Sequence, residues 1–152
     1  MGIIIKIFVL LGAFCFMEFV AWFTHKFIMH GLLWNIHKGH HTGEEGVFEK
    51  NDLFFLFFAI PSFILIFWGA LNNFDLRVYI GAGIALYGLA YFIVHDVFIH
   101  QRIKIFRNSN NIYLKALRRA HKMHHKHITK EKGESFGMLI VSLKYLKQEL
   151  KK

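Results

Sequence analysis

Long apolar runs alternate along this chain with short stretches crowded with charge and histidine. Ile3–Thr24 is interrupted only by Lys6 and Glu18, while 53–71 and 78–94 carry no charged side chain at all. A helix needs about 20 apolar residues to cross a bilayer core, with about 17 as the lower limit. The third run extends further through Phe98 and Ile99, so the pattern predicts three transmembrane helices. The first run is too long for a signal peptide and no small-x-small cleavage site follows it. "LNNFDL" (71–76) predicts a tight turn between the second and third spans. Across 136–150, Leu139, Leu143, Leu146 and Leu150 recur at helical spacing around Lys144 and Lys147, which predicts an interfacial amphipathic helix or a surface helix of a polar cap. Nothing resembles a linker, so 1–152 reads as one domain.

An odd number of crossings has a consequence for the segments between them. The stretches 25–52 and 95–152 must lie on the same side of the membrane. Of the 19 Lys and Arg, 17 fall on that side, and only Lys6 and Arg77 on the other. The excess of cations predicts that this face is cytoplasmic, in an inner cell membrane. The expected fold is all-α: about three membrane helices, a cytoplasmic histidine-rich helical cap and a C-terminal amphipathic helix.

Composition supports this picture. The chain is 55% hydrophobic, with 18 Phe and one Pro among 152 residues. Its net charge of +9 does not indicate nucleic acid, because the basic residues flank apolar runs as at a lipid surface. Cys15 is the single cysteine, so no disulfide forms within the chain.

Ten of the eleven histidines obey one scheme, HxxxxH followed by HxxHH, and the scheme occurs twice. The first copy is His25, His30, His37, His40 and His41; the second is His95, His100, His121, His124 and His125. In HxxHH the imidazoles share a helix face, so one cluster can offer three ligands to a metal. HxxxxH is harder to place, since residues five apart diverge by about 140° on an α-helix. It suits the end of a membrane helix, where a frayed turn lets the second histidine swing inward. A tetrahedral zinc takes four ligands; ten imidazoles suit two metals with about five nitrogens each, or four plus a water or bridging oxygen. A basic tract contacting anionic lipid would explain the lysines of 121–132 but not the repeated spacing. His127, outside the repeat, reads as an ordinary interfacial histidine. Lys26, Lys38 and Lys122 are expected to hold the imidazoles neutral by like-charge repulsion.

Two acids accompany the histidines. Glu18 lies within the first span on nearly the face of His25, and an ionisable group at that depth is a functional candidate. Asp96 follows His95, where it can orient the imidazole or pair with Arg102. Either can relay protons.

The motif series resembles that of the histidine-box membrane di-iron proteins, the fatty acid hydroxylase and sterol desaturase superfamily. The likeness is nearest to the bacterial β-carotene 3-hydroxylase branch. It is carried by "ME" (17–18), "HKFIMHG" (25–31), "GVFEKNDLF" (46–54), "IGAGIALYGLAYFIVHD" (80–96), "HQR" (100–102), "YLK" (113–115), "AHKMHH" (120–125) and "KGESFG" (132–137). The resemblance runs from Met17 to Leu139. It implies a monooxygenase that uses dioxygen and two iron ions held by the ten histidines. It also implies electrons from a ferredoxin-type or NAD(P)H-linked donor. The implied substrate is a carotenoid in the bilayer, hydroxylated at carbon 3 of its β-ionone rings. A fatty acid or sterol hydroxylase or desaturase of the same superfamily, and a membrane metal-binding or transport protein, remain as alternatives.

Overall fold

The computed structural model describes residues 2–43, 48–105, 108–131 and 133–151. Gly46, Val47 and Lys132, which belong to the family-like stretches, lie outside them. The described residues are mostly helical, with no strand among them. Helix α1 is Ile3–Phe23, α2 Trp34–Thr42, α3 Leu53–Leu71, α4 Leu76–Phe92, α5 Ile112–His125 and α6 Leu143–Leu150. Two π-helical segments, Thr24–Leu32 and Ile93–Ile99, continue α1 and α4 without a break.

Three helical stretches are long and apolar enough to cross a membrane: Ile3–Leu32, Lys50–Leu71 and Leu76–Ile99. They extend the predicted spans at the histidine end. Their outward faces carry Phe8, Phe16, Phe55 and Phe63, all more than half exposed. Such a continuous apolar exterior is stable only in lipid, so this is a membrane protein. Helix α4 packs against both α1 and α3, and two glycines make that sandwich possible. They stand two residues apart, on opposite faces of α4. A Cβ on Gly83 would lie 2.5 Å from the Leu10 carbonyl of α1, and one on Gly81 would lie 2.8 Å from the Ser62 carbonyl of α3. Without a hydrophobic force between helices in lipid, this close backbone approach supplies the packing. Ser62 adds a hydrogen bond to the Gly81 carbonyl at 2.8 Å. At the far end, Asp75 caps α4 by accepting from the Arg77 amide, after Asn73 and Phe74 turn the chain in left-handed conformations.

All the histidine segments lie at the opposite end, where α2 and α5 form the cap. Gly43, at φ 75°, closes α2, and the Asn111 side chain accepts from Leu114 N–H to start α5. Arg118 ties α5 to the third span by donating to the Phe98 carbonyl.

The C-terminal helix is shorter than the periodicity of 136–150 predicts, because α6 begins at Leu143. The backbone N–H groups of Met138, Leu139 and Ile140 donate instead to the Glu18 carboxylate. That leaves 133–142 as an irregular strap across the cap. In α6 Tyr145 is the buried residue, packed on Ala116 and Ala120 of α5, while Leu143 and Leu150 are exposed.

Candidate metal centre

The HxxxxH spacing is resolved by helix type. His25 and His30 lie in the first π-helical segment; His95 lies in the second, which His100 caps. A π-helix bonds residue i to i+5, as in His100 N–H to the His95 carbonyl at 2.8 Å. Residues five apart therefore stand close to one face, and most of the 140° divergence is removed. The expected fraying is replaced by a regular, wider turn.

Eight of the ten repeat histidines are buried and two, His100 and His125, half-buried. Their ligand nitrogens converge into two groups, His25, His30, His37, His41 and His124, and His40, His95, His100 and His121, each within 4.8 Å. The groups cut across the HxxHH motifs. The middle histidine of each motif crosses over, His124 into the first group and His40 into the second. His125 has no partner for its buried Nε2. Its ring lies 4.5 Å from those of His41 and His121 and 4.7 Å from that of His40, between the groups. By the twofold correspondence, His125 is the counterpart of His41. His127 belongs to neither group.

The outer nitrogens explain why the inner ones converge. His25 Nδ1–H donates to the Phe136 carbonyl (3.0 Å), His30 to that of Lys130 (3.4 Å) and His124 to that of Glu134 (2.8 Å). His37 donates to Asn51 Oδ1 (2.7 Å), His40 to Glu49 Oε2 (2.8 Å) and His95 to Asp96 Oδ2 (3.2 Å). A carbonyl or carboxylate can only accept, so Nδ1 carries the proton and Nε2 keeps its lone pair. Those lone pairs then face one another: His25–His37 at 3.1 Å, His30–His124 at 3.2 Å and His40–His95 at 3.2 Å. Paired acceptors at this distance repel unless a cation lies between them. The donor set therefore fits metal ions, and nitrogen ligands suit iron, zinc, copper or nickel.

Burial keeps the imidazoles of His37, His41, His100 and His124 neutral. It pushes His37 down to about 2, His41 to about 4, and His100 and His124 to about 3, with neighbouring histidines adding repulsion. Lys26, Lys38 and Lys122, expected to do this, are exposed and not the cause.

Asp96 makes two contacts, accepting from His95 and pairing with Arg102 Nε at 3.2 Å. The hydrogen bonds of Glu18 run to the strap and to α4, and not to the metal-group nitrogens. Besides the strap amides, it accepts from Tyr87 O–H at 2.7 Å. Its donors come from α4 and the strap, so it binds three parts of the fold together. The orienting roles of Asn51, Glu49 and the three carbonyls were not readable from the chain. They lie in "GVFEKNDLF" and in or beside "KGESFG", stretches legible as family signatures but without periodicity to reveal a partner.

A groove of about 590 Å³ runs between α1 and the strap, lined by Cys15, Phe19, Trp22, Phe136 and Ile140 among others. Phe136 forms its inner wall and packs edge-on against His25, His30 and His124.

Three apolar spans that gather ten imidazoles at one end define a membrane-embedded histidine-cluster protein. The chain belongs to the fatty acid hydroxylase family, whose model matches residues 10–145. It is 46% identical over 123 residues to a β-carotene hydroxylase of Pantoea ananas, covering 81% of this chain and 70% of that one. The β-carotene hydroxylase of Pseudescherichia vulneris is 45% identical, at 81% and 69% coverage. The chloroplastic β-carotene 3-hydroxylase 2 of Arabidopsis thaliana is 38% identical, over 85% of this chain and 43% of its own length. No solved structure matches the chain.

Proposed function

We propose that residues 1–152 act as one domain, a carotenoid hydroxylase that inserts oxygen from dioxygen at carbon 3 of β-ionone rings. β-Carotene would pass through β-cryptoxanthin to zeaxanthin. The observation that carries this reading is the pair of Nε2 clusters at the ends of apolar spans, in a chain 46% identical to a β-carotene hydroxylase. His25, His30, His37, His41 and His124 hold one iron. His40, His95, His100, His121 and, by the twofold correspondence, His125 hold the other. Two bound irons supply the activation of dioxygen needed to hydroxylate an unactivated C–H bond.

The chain's own residues position that chemistry. Nδ1 donors lock each ring so that its lone pair points inward. The spans and the strap exclude water. The groove beside α1 admits a ring from the bilayer, with Phe136 between it and the first cluster. On α1 the groove is lined from Cys15 to Trp22, roughly 10 Å of helix, from mid-membrane toward the metals. A carotene is apolar throughout, and its affinity comes from buried area at roughly 25 cal/mol per Å²; shape therefore decides selectivity. Electrons come from a ferredoxin-type or NAD(P)H-linked donor on the cytoplasmic face of the inner membrane, the side that the excess of Lys and Arg favours for the cap. Glu18 fixes the strap through its hydrogen bonds. Asp96 orients His95.

The family's description favours one second reading, hydroxylation of a fatty acyl chain. Expression in cells that accumulate β-carotene separates the two. Zeaxanthin should appear, and acyclic lycopene in parallel cells should remain untouched. Each repeat-histidine alanine variant should abolish conversion while His127→Ala retains it. New hydroxy fatty acids without zeaxanthin would replace the carotenoid reading with the second one.

A further inference from the structure

The two nitrogen clusters are oriented by different kinds of acceptor. In the first, four Nδ1–H groups donate to neutral oxygens, those of Asn51, Phe136, Lys130 and Glu134. In the second, His40 and His95 donate to the carboxylates of Glu49 and Asp96. The remaining oxygens of those carboxylates meet on a single side chain. Arg102 holds Glu49 Oε1 at 3.0 Å and Asp96 Oδ1 at 3.2 Å, and it also pairs with Asp52 at 3.0 Å. One guanidinium among three carboxylates leaves this side of the second cluster net negative. Its planar fork presents both orienting carboxylates in a set geometry, which a lysine cannot do. Arg102 is placed for this by the left-handed Gln101 (φ 56°), which turns the chain at the end of the third span, and by its own N–H bond to the Asp96 carbonyl at 2.9 Å.

We infer that the two metal positions are chemically inequivalent, and that Arg102 is the positioning residue that makes them so. A carboxylate behind an imidazole raises its basicity as a ligand, and nearby negative charge stabilises the more highly charged ion. The second cluster is thus the electron-rich one, and its iron is the more readily oxidised. The inference rests on the two-metal reading.

The test uses the full chain in detergent, loaded with ⁵⁷Fe and reduced. Elemental analysis should find two irons, and Mössbauer spectra two distinct doublets of equal area. Stepwise oxidation with ferricyanide should convert one doublet before the other. Glu49→Gln should shift the parameters of that doublet alone, and Asn51→Asp, which gives His37 a carboxylate acceptor, should move the other doublet toward it. Arg102→Gln should perturb the early-oxidising doublet and speed release of that iron to a chelator by about 10- to 100-fold, with Arg102→Lys restoring only part. If Arg102→Gln does not fold, Glu49→Gln and Asp96→Asn singly read the same doublet. Identical doublets, simultaneous oxidation, or equal perturbation of both doublets by Arg102→Gln would overturn the inference while leaving the hydroxylase reading intact. A protein holding one iron would overturn both the two-metal reading and this inference.

Discussion

His40 and His41 are consecutive in the chain, yet their Nε2 atoms lie in different clusters, His40 at 3.2 Å from that of His95 and His41 at 3.1 Å from that of His37. Groups acting on one metal should be non-additive, and groups on different metals additive. His40→Ala, His95→Ala and the double variant should each cost the same single metal. Pairing His41→Ala with His95→Ala should cost both. Metals per chain, by elemental analysis, decide it. Equal loss in the two double variants would dissolve the assignment of clusters.

Glu18 joins α1 to residues about 120 positions later. Its carboxylate is buried and receives N–H groups from Met138, Leu139 and Ile140. Hydrogen bonds to a charged group are worth about 1.5–3 kcal/mol each. Glu18→Ala should therefore destabilise by about 3 kcal/mol or more, read as a lower melting temperature in detergent. It should also expose 133–142 to protease and loosen the Phe136 and Glu134 carbonyls that orient His25 and His124. An unchanged melting temperature and cleavage rate would leave the strap without its anchor.

His41, His100 and His124 set a pH dependence of definite sign. Their folded-state values lie below the ordinary 6.5, at about 4 for His41 and about 3 for His100 and His124, chiefly through burial. Below pH 6.5 the unfolded chain takes up protons that the folded one refuses, so folding loses stability as pH falls. Metal binding weakens in the same direction, since it needs neutral imidazole. Metal content and thermal stability should be flat above pH 6.5 and decline from there through about 4 and below. A rise in either on acidification would contradict the burial.

Cys15 is exposed and lines the groove beside α1. A bulky maleimide on it should block conversion of β-carotene without removing metal, and added carotenoid should slow the labelling. Cys15→Ser should convert carotene with or without the reagent. Full activity of the labelled protein would move the substrate path elsewhere.

A topology reporter fused after the C-terminal helix should read cytoplasmic, and one inserted at Asn72–Asn73 should read the opposite side. Both on the same side would break the three-span arrangement.

The three spans, their parity and the shared face of the histidines were legible in the chain because apolar length is a one-dimensional quantity. A run either is or is not long enough to cross lipid, and counting crossings places everything between them. The doubled histidine scheme was legible for the same reason, as spacing. The partition of those histidines was not. It depends on π-helical turns that carry the HxxxxH pairs, and nothing in residue type at 24–32 or 93–99 distinguishes a π-turn from an α-turn. It depends as well on acceptors from distant segments: Asn51 for His37, Glu49 for His40, and the carbonyls of a strap about 110 residues away for His25. Such partners share no period with the residues they orient. The misplaced start of the C-terminal helix has the same origin, since a buried carboxylate on α1 claimed the amides that the leucine spacing assigned to a helix. Local pattern predicts what a segment can form alone; which hydrogen bonds it makes is settled by what the folded chain brings beside it.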